Sequence, residues 1–295
     1  MRPDRRGAGS SAARPRAPPG PLAGASREAA GSVGRRVQGG GRVRRRRVQG
    51  GALGSDGGII LAVTRHFVKY TFLKLDPAWR RLDGAQREQD KRELMAACED
   101  FADGHMLQSF SLMGTRGDAE LLLVSEAENL DRIHEFHVVL AQSGLMKWAQ
   151  ISHSFLGMRK GSEYSEDERT VSRGFRGKYV FVYPFVKSRE WYALPAQERW
   201  RIMQKHIEVG REYPGVDNHT TYSFGLDDQE FVVAFDTDEV GTFLDLVQRL
   251  RTTEASRYTV RDTPSFTCIA MSLARALNAL DGESVVFDAA TLSAS

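Results

Sequence analysis

An internal repeat of about 110 residues constrains the fold of this chain more than any other feature of its sequence. Three pairs of segments recur at nearly the same separation, which is 109, 110 and 111 residues in turn. The pairs are Lys69–Phe72 with Lys178–Phe181, Leu121–Val124 with Phe231–Ala234, and Ser154–Phe155 with Ser265–Phe266. Such a constant offset predicts that two copies of one structural unit follow each other along the chain.

Each copy is predicted to contain a strand, a helix, a two-stranded hairpin, a second helix and a last strand. In the first copy these are His66–Leu73, Gln86–Ala102, Met106–Met113 with Glu120–Ser125, Asn129–Ser143 and Ala149–Met158. In the second copy they are Tyr179–Phe185, Pro195–Val209, His219–Phe224 with Glu230–Asp236, Val240–Thr252 and Ser265–Met271. The order βαββαβ is that of a ferredoxin-like unit. We therefore predict an α+β fold in which two ferredoxin-like βαββαβ repeats form a dimeric α+β barrel within one chain.

Charge divides the chain in another way. Residues 1–56 contain 13 Arg, 3 acidic residues and no aromatic residue, whereas the remaining 239 residues contain 28 basic and 35 acidic residues. A segment so poor in apolar side chains cannot offset the entropy that ordering it would cost. We therefore predict a disordered leader at 1–58. The repeat divides the rest into an N-terminal half at 59–158, an inter-domain loop at 159–177, a C-terminal half at 178–284 and a tail at 285–295.

Composition also excludes several classes of protein. No apolar run reaches the roughly 18 residues of a membrane span, and Cys98 and Cys268 are too few for a disulfide scaffold or a thiolate cluster. The acidic body argues against nucleic acid as the main partner. No secretory signal follows the first arginines, so we expect a cytoplasmic protein. The leader keeps several interpretations: an arm for nucleic acid or a membrane surface, a solvated low-complexity tail, upstream codons translated from a wrongly chosen start, or an Arg-rich targeting leader.

One helix of the second copy carries a histidine that the first copy lacks. The residues of its apolar face, at helical spacing, are Trp200, Met203, His206, Ile207 and Gly210. The corresponding region of the first copy has Ala96, Ala97 and Cys98. By itself His206 is either a satisfied core residue or a ligand. Together with Tyr183 and His219 on neighbouring strands, it could hold a flat metal cofactor between helix and sheet.

Four motifs make this site more specific. They are Tyr183-Pro184-Phe185-Val186-Lys187 followed by Trp191-Tyr192, His206-x-x-x-Gly210-Arg211-x-Tyr213, Ser223-x-Gly225-Leu226-Asp227-Asp228-x-Glu230, and Arg251-x-x-Glu254-Ala255-Ser256-Arg257-Tyr258. In this order they resemble the chlorite dismutase-like haem proteins, and the first motif is similar to that of the coproheme decarboxylases of that family. The likeness extends over about residues 65–280. It implies the same double fold, a homo-oligomer that is usually a ring pentamer, and haem binding in the C-terminal half alone.

The resemblance also implies roles for single residues. His206 matches the proximal axial ligand of the iron, and Glu254 matches the carboxylate that accepts a hydrogen bond from this histidine. Tyr183 matches the redox-active tyrosine of the decarboxylases. The residues that match contacts to the porphyrin propionates are Lys187, Arg251 and Ser256.

The activity implied by the resemblance is the conversion of Fe-coproporphyrin III (coproheme), which is both substrate and cofactor, to haem b, the last step of a haem biosynthesis route. In the mechanism that the resemblance implies, hydrogen peroxide oxidises the iron, and Tyr183 becomes a neutral radical that takes hydrogen from the β-carbon of a propionate. Loss of CO2 leaves a vinyl group, and two such events complete the reaction. The implied partners are coproheme, hydrogen peroxide and, transiently, a ferrochelatase.

His219 departs from the family pattern. Chlorite dismutases have an arginine at the matching distal position, so the histidine disfavours chlorite chemistry. Its imidazole, with an intrinsic pKa near ~6.5, suits a base that takes a proton from peroxide, or it binds a propionate, and the sequence leaves both roles open. The loop 159–177 contains no histidine that could replace it. The alternative functions are a chlorite-decomposing haem oxidoreductase and a haem-binding protein without turnover.

Overall fold

The structure is a computed structural model that describes residues 65–160, residue 164 and residues 174–282. The predicted leader 1–58 and tail 285–295 lie outside the described residues, as does most of the predicted loop 159–177. Within the described residues, no helix is both long enough and apolar enough to cross a membrane.

The first half follows the predicted order. Its elements are β1 (Phe67–Leu75), α1 (Gly84–Ala102), β2 (Met106–Ser111), β3 (Leu121–Ala127), α2 (Leu130–Leu140) and β4 (Ala149–Met158), with short 3-10 turns at Pro77–Arg81 and Leu145–Lys147. Capping side chains determine where the two helices begin. The carboxylate of Asp83 accepts a hydrogen bond from Gln86 N at 3.0 Å, and the amide oxygen of Asn129 accepts one from Arg132 N at 2.8 Å.

The second half repeats this order with additions. Its elements are β5 (Tyr179–Lys187), α3 (Arg189–Ala193), α4 (Ala196–Arg211), β6 (Asp217–Asn218), β7 (Thr221–Tyr222), β8 (Phe231–Thr237), α5 (Val240–Arg251), a 3-10 turn (Glu254–Tyr258), β9 (Thr259–Arg261), β10 (Phe266–Ala270) and α6 (Leu273–Leu280). The sequence did not predict α3, β9 or α6. The predicted strand His219–Phe224 is instead the pair β6 and β7, which His219 and Thr220 separate.

The strands of the two halves close into one antiparallel barrel. The first half has the order β4-β1-β3-β2, and the second half has the equivalent order β10-β5-β8, followed by β6 and β7 together. The halves join where Phe110 of β2 lies opposite Ala270 of β10, and where Met158 of β4 lies opposite Tyr222 of β7. The predicted dimeric α+β barrel is thus confirmed.

Alternation along the strands separates the barrel interior from the layers under the helices, because successive side chains point to opposite faces. The interior is apolar: Tyr70 and Phe72 of β1 pack there with Val180 and Val182 of β5 and Ala234 of β8. The remaining strand positions face the helices, and they form one outer layer in each half.

The two outer layers are packed very differently. Among the described residues, the first-half cluster under α1, α2 and α6 contains 17 buried hydrophobic side chains, including Trp79 and Leu277. The buried cluster beside α4 contains three, which are Trp191, Ile202 and Ala255. The protein's own side chains therefore fill the first layer more completely than the second.

Candidate functional site

The candidate site is the outer layer of the second half, between β5 on one side and α4 on the other. Phe181 of β5 stacks on Phe243 of α5 with ring centroids 3.7 Å apart, so this face of β5 points towards the helices. By alternation, Tyr183 and Phe185 share that face, and both remain partly exposed. On the helical side, His206 is also only partly buried.

His206 lies on α4 with its Nδ1 atom 3.2 Å from the hydroxyl of Thr253. That hydroxyl donates its own proton to the carbonyl oxygen of Leu250 at 2.7 Å. Burial, reinforced by the nearby Lys187 charge, lowers the pKa of His206 to about 4. The imidazole is therefore neutral at pH 7, which is the form that binds metal ions.

Lys187 lies at the end of β5 beside this histidine. Its ammonium donates a hydrogen bond to the carbonyl oxygen of Ala255 at 3.1 Å and sits 4.4 Å from the ring centre of Trp191. Burial lowers the pKa of Lys187 to about 8, although the charge of Glu230 opposes this shift. Lys187 is thus a partly buried cation that an additional anion would stabilise.

The hydroxyl of Tyr183 lies within reach of the charges of Asp262 and Arg251. Burial is the main cause that raises the pKa of Tyr183; the charge of Asp262 raises it further, and that of Arg251 opposes the shift. Arg251 forms an ion pair with Asp262, and its side chain is 57% exposed. The phenol therefore keeps its proton at neutral pH, next to a guanidinium that a ligand can reach.

The structure places Glu254 away from His206. Its carboxylate accepts a hydrogen bond from Arg201 at 2.8 Å, on the exposed side of α4. The hydroxyl of the preceding residue, Thr253, occupies the position beside the imidazole. The sequence reasoning missed Thr253, because a threonine just after a helix has an ordinary local role and carries no functional signal of its own. Ser256 is partly buried in the following turn, where its N–H donates to Thr253 O at 3.1 Å.

His219 is not brought to this group of residues. It lies opposite Ala234, to whose carbonyl it donates its N–H at 2.8 Å, and Ala234 faces the barrel interior. Its ring is 3.0 Å from the buried carboxylate of Asp236 and packs against Phe175. Its position therefore supports neither of the two roles that the sequence left open.

In the segment around His219, the residues that face the helices are Asn218 and Thr220 rather than His219. Asn218 pairs with Phe235, whose ring contacts Phe243 of α5. Thr220 is two residues further along, between β6 and β7, and because both strands pair with β8 in one register, alternation places it on the same side as Asn218. A period-two pattern could have identified this pair, but only if the register of the interrupted strand had been known.

The family assignment rests on a match over most of the folded part. The chlorite dismutase family model matches residues 87–271, which is more than half of the chain. The chain belongs to the chlorite dismutase family. Every predicted site residue lies within the matched range.

Individual relatives agree with this assignment. A coproheme decarboxylase of Mycolicibacterium smegmatis is 30% identical over 161 residues, which are 54% of this chain and 70% of the relative. A crystal structure of a mutant chlorite dismutase from Candidatus Nitrospira defluvii has a TM-score of 0.68 at 24% identity and covers 73% of this chain and 95% of its own. A heme-binding protein from Thermus thermophilus has a TM-score of 0.66 at 27% identity, with coverages of 74% and 95%. The predicted family is confirmed; the homo-oligomer, the ferrochelatase contact and the cytoplasmic location stay predictions.

Proposed function

We propose that this chain is a haem-binding oxidoreductase that uses hydrogen peroxide to decarboxylate two propionates of coproheme, which gives haem b. One observation carries the proposal: two groups face each other across the incompletely packed layer of the second half. The neutral imidazole of His206 lies on its helical side, and Tyr183 lies on its strand side. The likeness to the coproheme decarboxylase of M. smegmatis supports this choice of substrate. We also propose residues 178–284 as the binding half, because side chains fill the corresponding layer of the first half.

The residues present fit a porphyrin that carries iron and acidic side chains. His206 would hold the iron through Nε2, because its Nδ1 faces Thr253 and its pKa lies well below neutral pH. Lys187 and Arg251 would bind propionates, and Ser256 would add a hydroxyl donor. Bound coproheme would supply the iron at which hydrogen peroxide is reduced.

Tyr183 would remove hydrogen from the propionate. Its raised pKa keeps the phenol protonated, and a protonated phenol can lose an electron and a proton together. Each event converts one propionate, one hydrogen peroxide and one proton into a vinyl group, CO2 and two waters. Two events therefore consume two peroxides and leave two vinyl groups on the porphyrin.

The test is to add hydrogen peroxide in steps to the coproheme complex of the full chain, and to follow CO2 release and the porphyrin mass. We expect two CO2 per coproheme and a product with two vinyl groups. Retention of every propionate by a stable complex would instead indicate a haem-binding protein without turnover. Oxygen release from chlorite, without decarboxylation by peroxide, would favour the chlorite-decomposing alternative.

A further inference from the structure

The proton positions around His206 follow from one hydroxyl group. The Oγ1 atom of Thr253 has a single proton, and the 2.7 Å contact with the Leu250 carbonyl commits that proton to the carbonyl oxygen. Towards His206, Oγ1 can then only accept. The 3.2 Å contact between Nδ1 and Oγ1 therefore requires that Nδ1 carries the imidazole proton, which leaves the lone pair of the neutral ring on Nε2.

The surroundings of Thr253 make this arrangement specific. The residue is buried, with 8% of its surface exposed, so water competes poorly for the hydroxyl. The carbonyl of Leu250 lies in the last turn of α5, where it also accepts the backbone N–H of Thr253 at 3.0 Å, and its second lone pair can accept the hydroxyl of the same residue. Glu254, the adjacent carboxylate, is held by Arg201, which also binds Glu198.

We infer that Thr253 is a positioning residue for the proposed iron ligand: it selects the Nε2-ligating tautomer of His206 and accepts the Nδ1 proton through a neutral hydroxyl rather than a carboxylate. This inference rests on the proposed function. A neutral acceptor withdraws the proton less strongly than a carboxylate, so His206 donates less electron density to the iron than a carboxylate-paired histidine would. The expected consequences are a weaker iron–histidine bond and a higher reduction potential than a carboxylate partner would produce.

The main experiment compares coproheme complexes of the full-length wild type with Thr253→Val, which keeps the shape but lacks the hydroxyl, and Thr253→Ser, which keeps the hydroxyl. The readouts are the iron–histidine stretching band of the ferrous complex by resonance Raman spectroscopy and the midpoint potential. We expect Thr253→Val to shift the band to lower frequency and raise the potential, and Thr253→Ser to retain both wild-type values. An unchanged band and potential in Thr253→Val would overturn the inference.

Glu254→Gln is the matched variant for the alternative partner. If Thr253 is the acceptor, Glu254→Gln leaves the iron–histidine band in place. A shift in Glu254→Gln together with an unchanged Thr253→Val would assign the acceptor role to the carboxylate and overturn the inference. A wild-type complex with no iron–histidine band would instead refute the proposed ligation by His206, so the two failures are distinguishable.

A measurement on the unliganded wild type keeps the inference testable even if Thr253→Val does not fold. The 15N chemical shifts of the His206 ring distinguish the two neutral tautomers at pH 7. We expect protonation at Nδ1, and a ring protonated at Nε2 would contradict the proton assignment that Thr253 imposes.

Discussion

The replacement Tyr183→Phe separates binding from chemistry, because it removes one hydroxyl group and leaves the ring in place. Burial and the charge of Asp262 raise the pKa of Tyr183 and the charge of Arg251 opposes them, with no hydrogen-bond contribution among the described residues. Removing the hydroxyl should therefore change the free energy of unfolding of the unliganded protein by less than about 0.5 kcal/mol. Coproheme binding should weaken by at most one hydrogen bond, about 0.5–1.5 kcal/mol, which is roughly 2- to 12-fold in Kd.

The decarboxylation rate should respond quite differently. Phenylalanine has no proton to release and is much harder to oxidise, so we expect the rate to fall by about 100-fold or more, the scale seen when a group that transfers protons is lost. The assay is a single turnover of the preformed coproheme complex with peroxide, with the vinyl products quantified by mass spectrometry. A small loss in affinity with a large loss in rate marks a group that acts in the reaction rather than in the complex.

Tyr179→Phe is the matched control. Tyr179 lies on the same face of β5, four residues and about 13 Å along the strand from Tyr183. We expect this variant to retain both binding and turnover. If Tyr183→Phe makes haem b at a near-normal rate while Tyr179→Phe does not, the radical resides on the other tyrosine and the assignment of Tyr183 is wrong.

Four further outcomes are expected. His206→Ala should lose the axial-ligand Soret spectrum of the coproheme complex; an unchanged spectrum would refute the ligation. Gly157→Ala should lower the free energy of unfolding by about 1–3 kcal/mol in urea titrations, since an added Cβ would collide with Thr221 where the halves join. The Asp236→Asn variant should have a lower free energy of unfolding than the wild type at pH 7, and this free energy should fall less steeply than in the wild type as the pH drops below about 4. Burial opposes ionisation of Asp236, but hydrogen bonds from His219 and two backbone N–H groups outweigh it and lower its folded pKa, so its contribution is present above about pH 4 and is lost as the pH falls further. A chain that begins at Gly57 should keep the wild-type melting temperature and turnover.

The fold was predictable because its strongest signals are local and occur twice. Alternating strands and amphipathic helices recur at one offset, and the structure contains both copies of the βαββαβ order. The path of the strand around His219 was not predictable in the same way. Its register depends on pairing with β8, and a displacement of one residue exchanges the barrel interior for the helix-facing side. The sequence motif could locate His219 in the chain but not assign the face on which it lies.

The ligand environment shows the same limit at a smaller scale. The position of His206 on the apolar face of α4 was predictable from helical spacing, and the corresponding helix of the other half has no histidine there. Its hydrogen-bond partner was not, because Thr253 and Glu254 are adjacent in sequence and only the geometry of the turn after α5 decides which of them reaches the imidazole. The motif identified the segment that contains the hydrogen-bond acceptor of His206, but not which of its residues is that acceptor.

The asymmetry of the two halves has a physical origin in the helix that the repeat did not predict. Ser272 caps α6, and the following turns bury Ala276, Leu277 and Leu280 in the outer layer of the first half. Lys91 of α1 forms an ion pair with Asp281 at the end of α6 at 3.2 Å, which fastens the helix there. Although α6 follows the second half in sequence, its side chains thus fill the outer layer of the first half. The duplicated unit leaves two comparable layers between sheet and helices, and α6 fills one of them with the chain's own side chains, which is why we propose the other layer, the one that contains His206, as the place for a flat ligand.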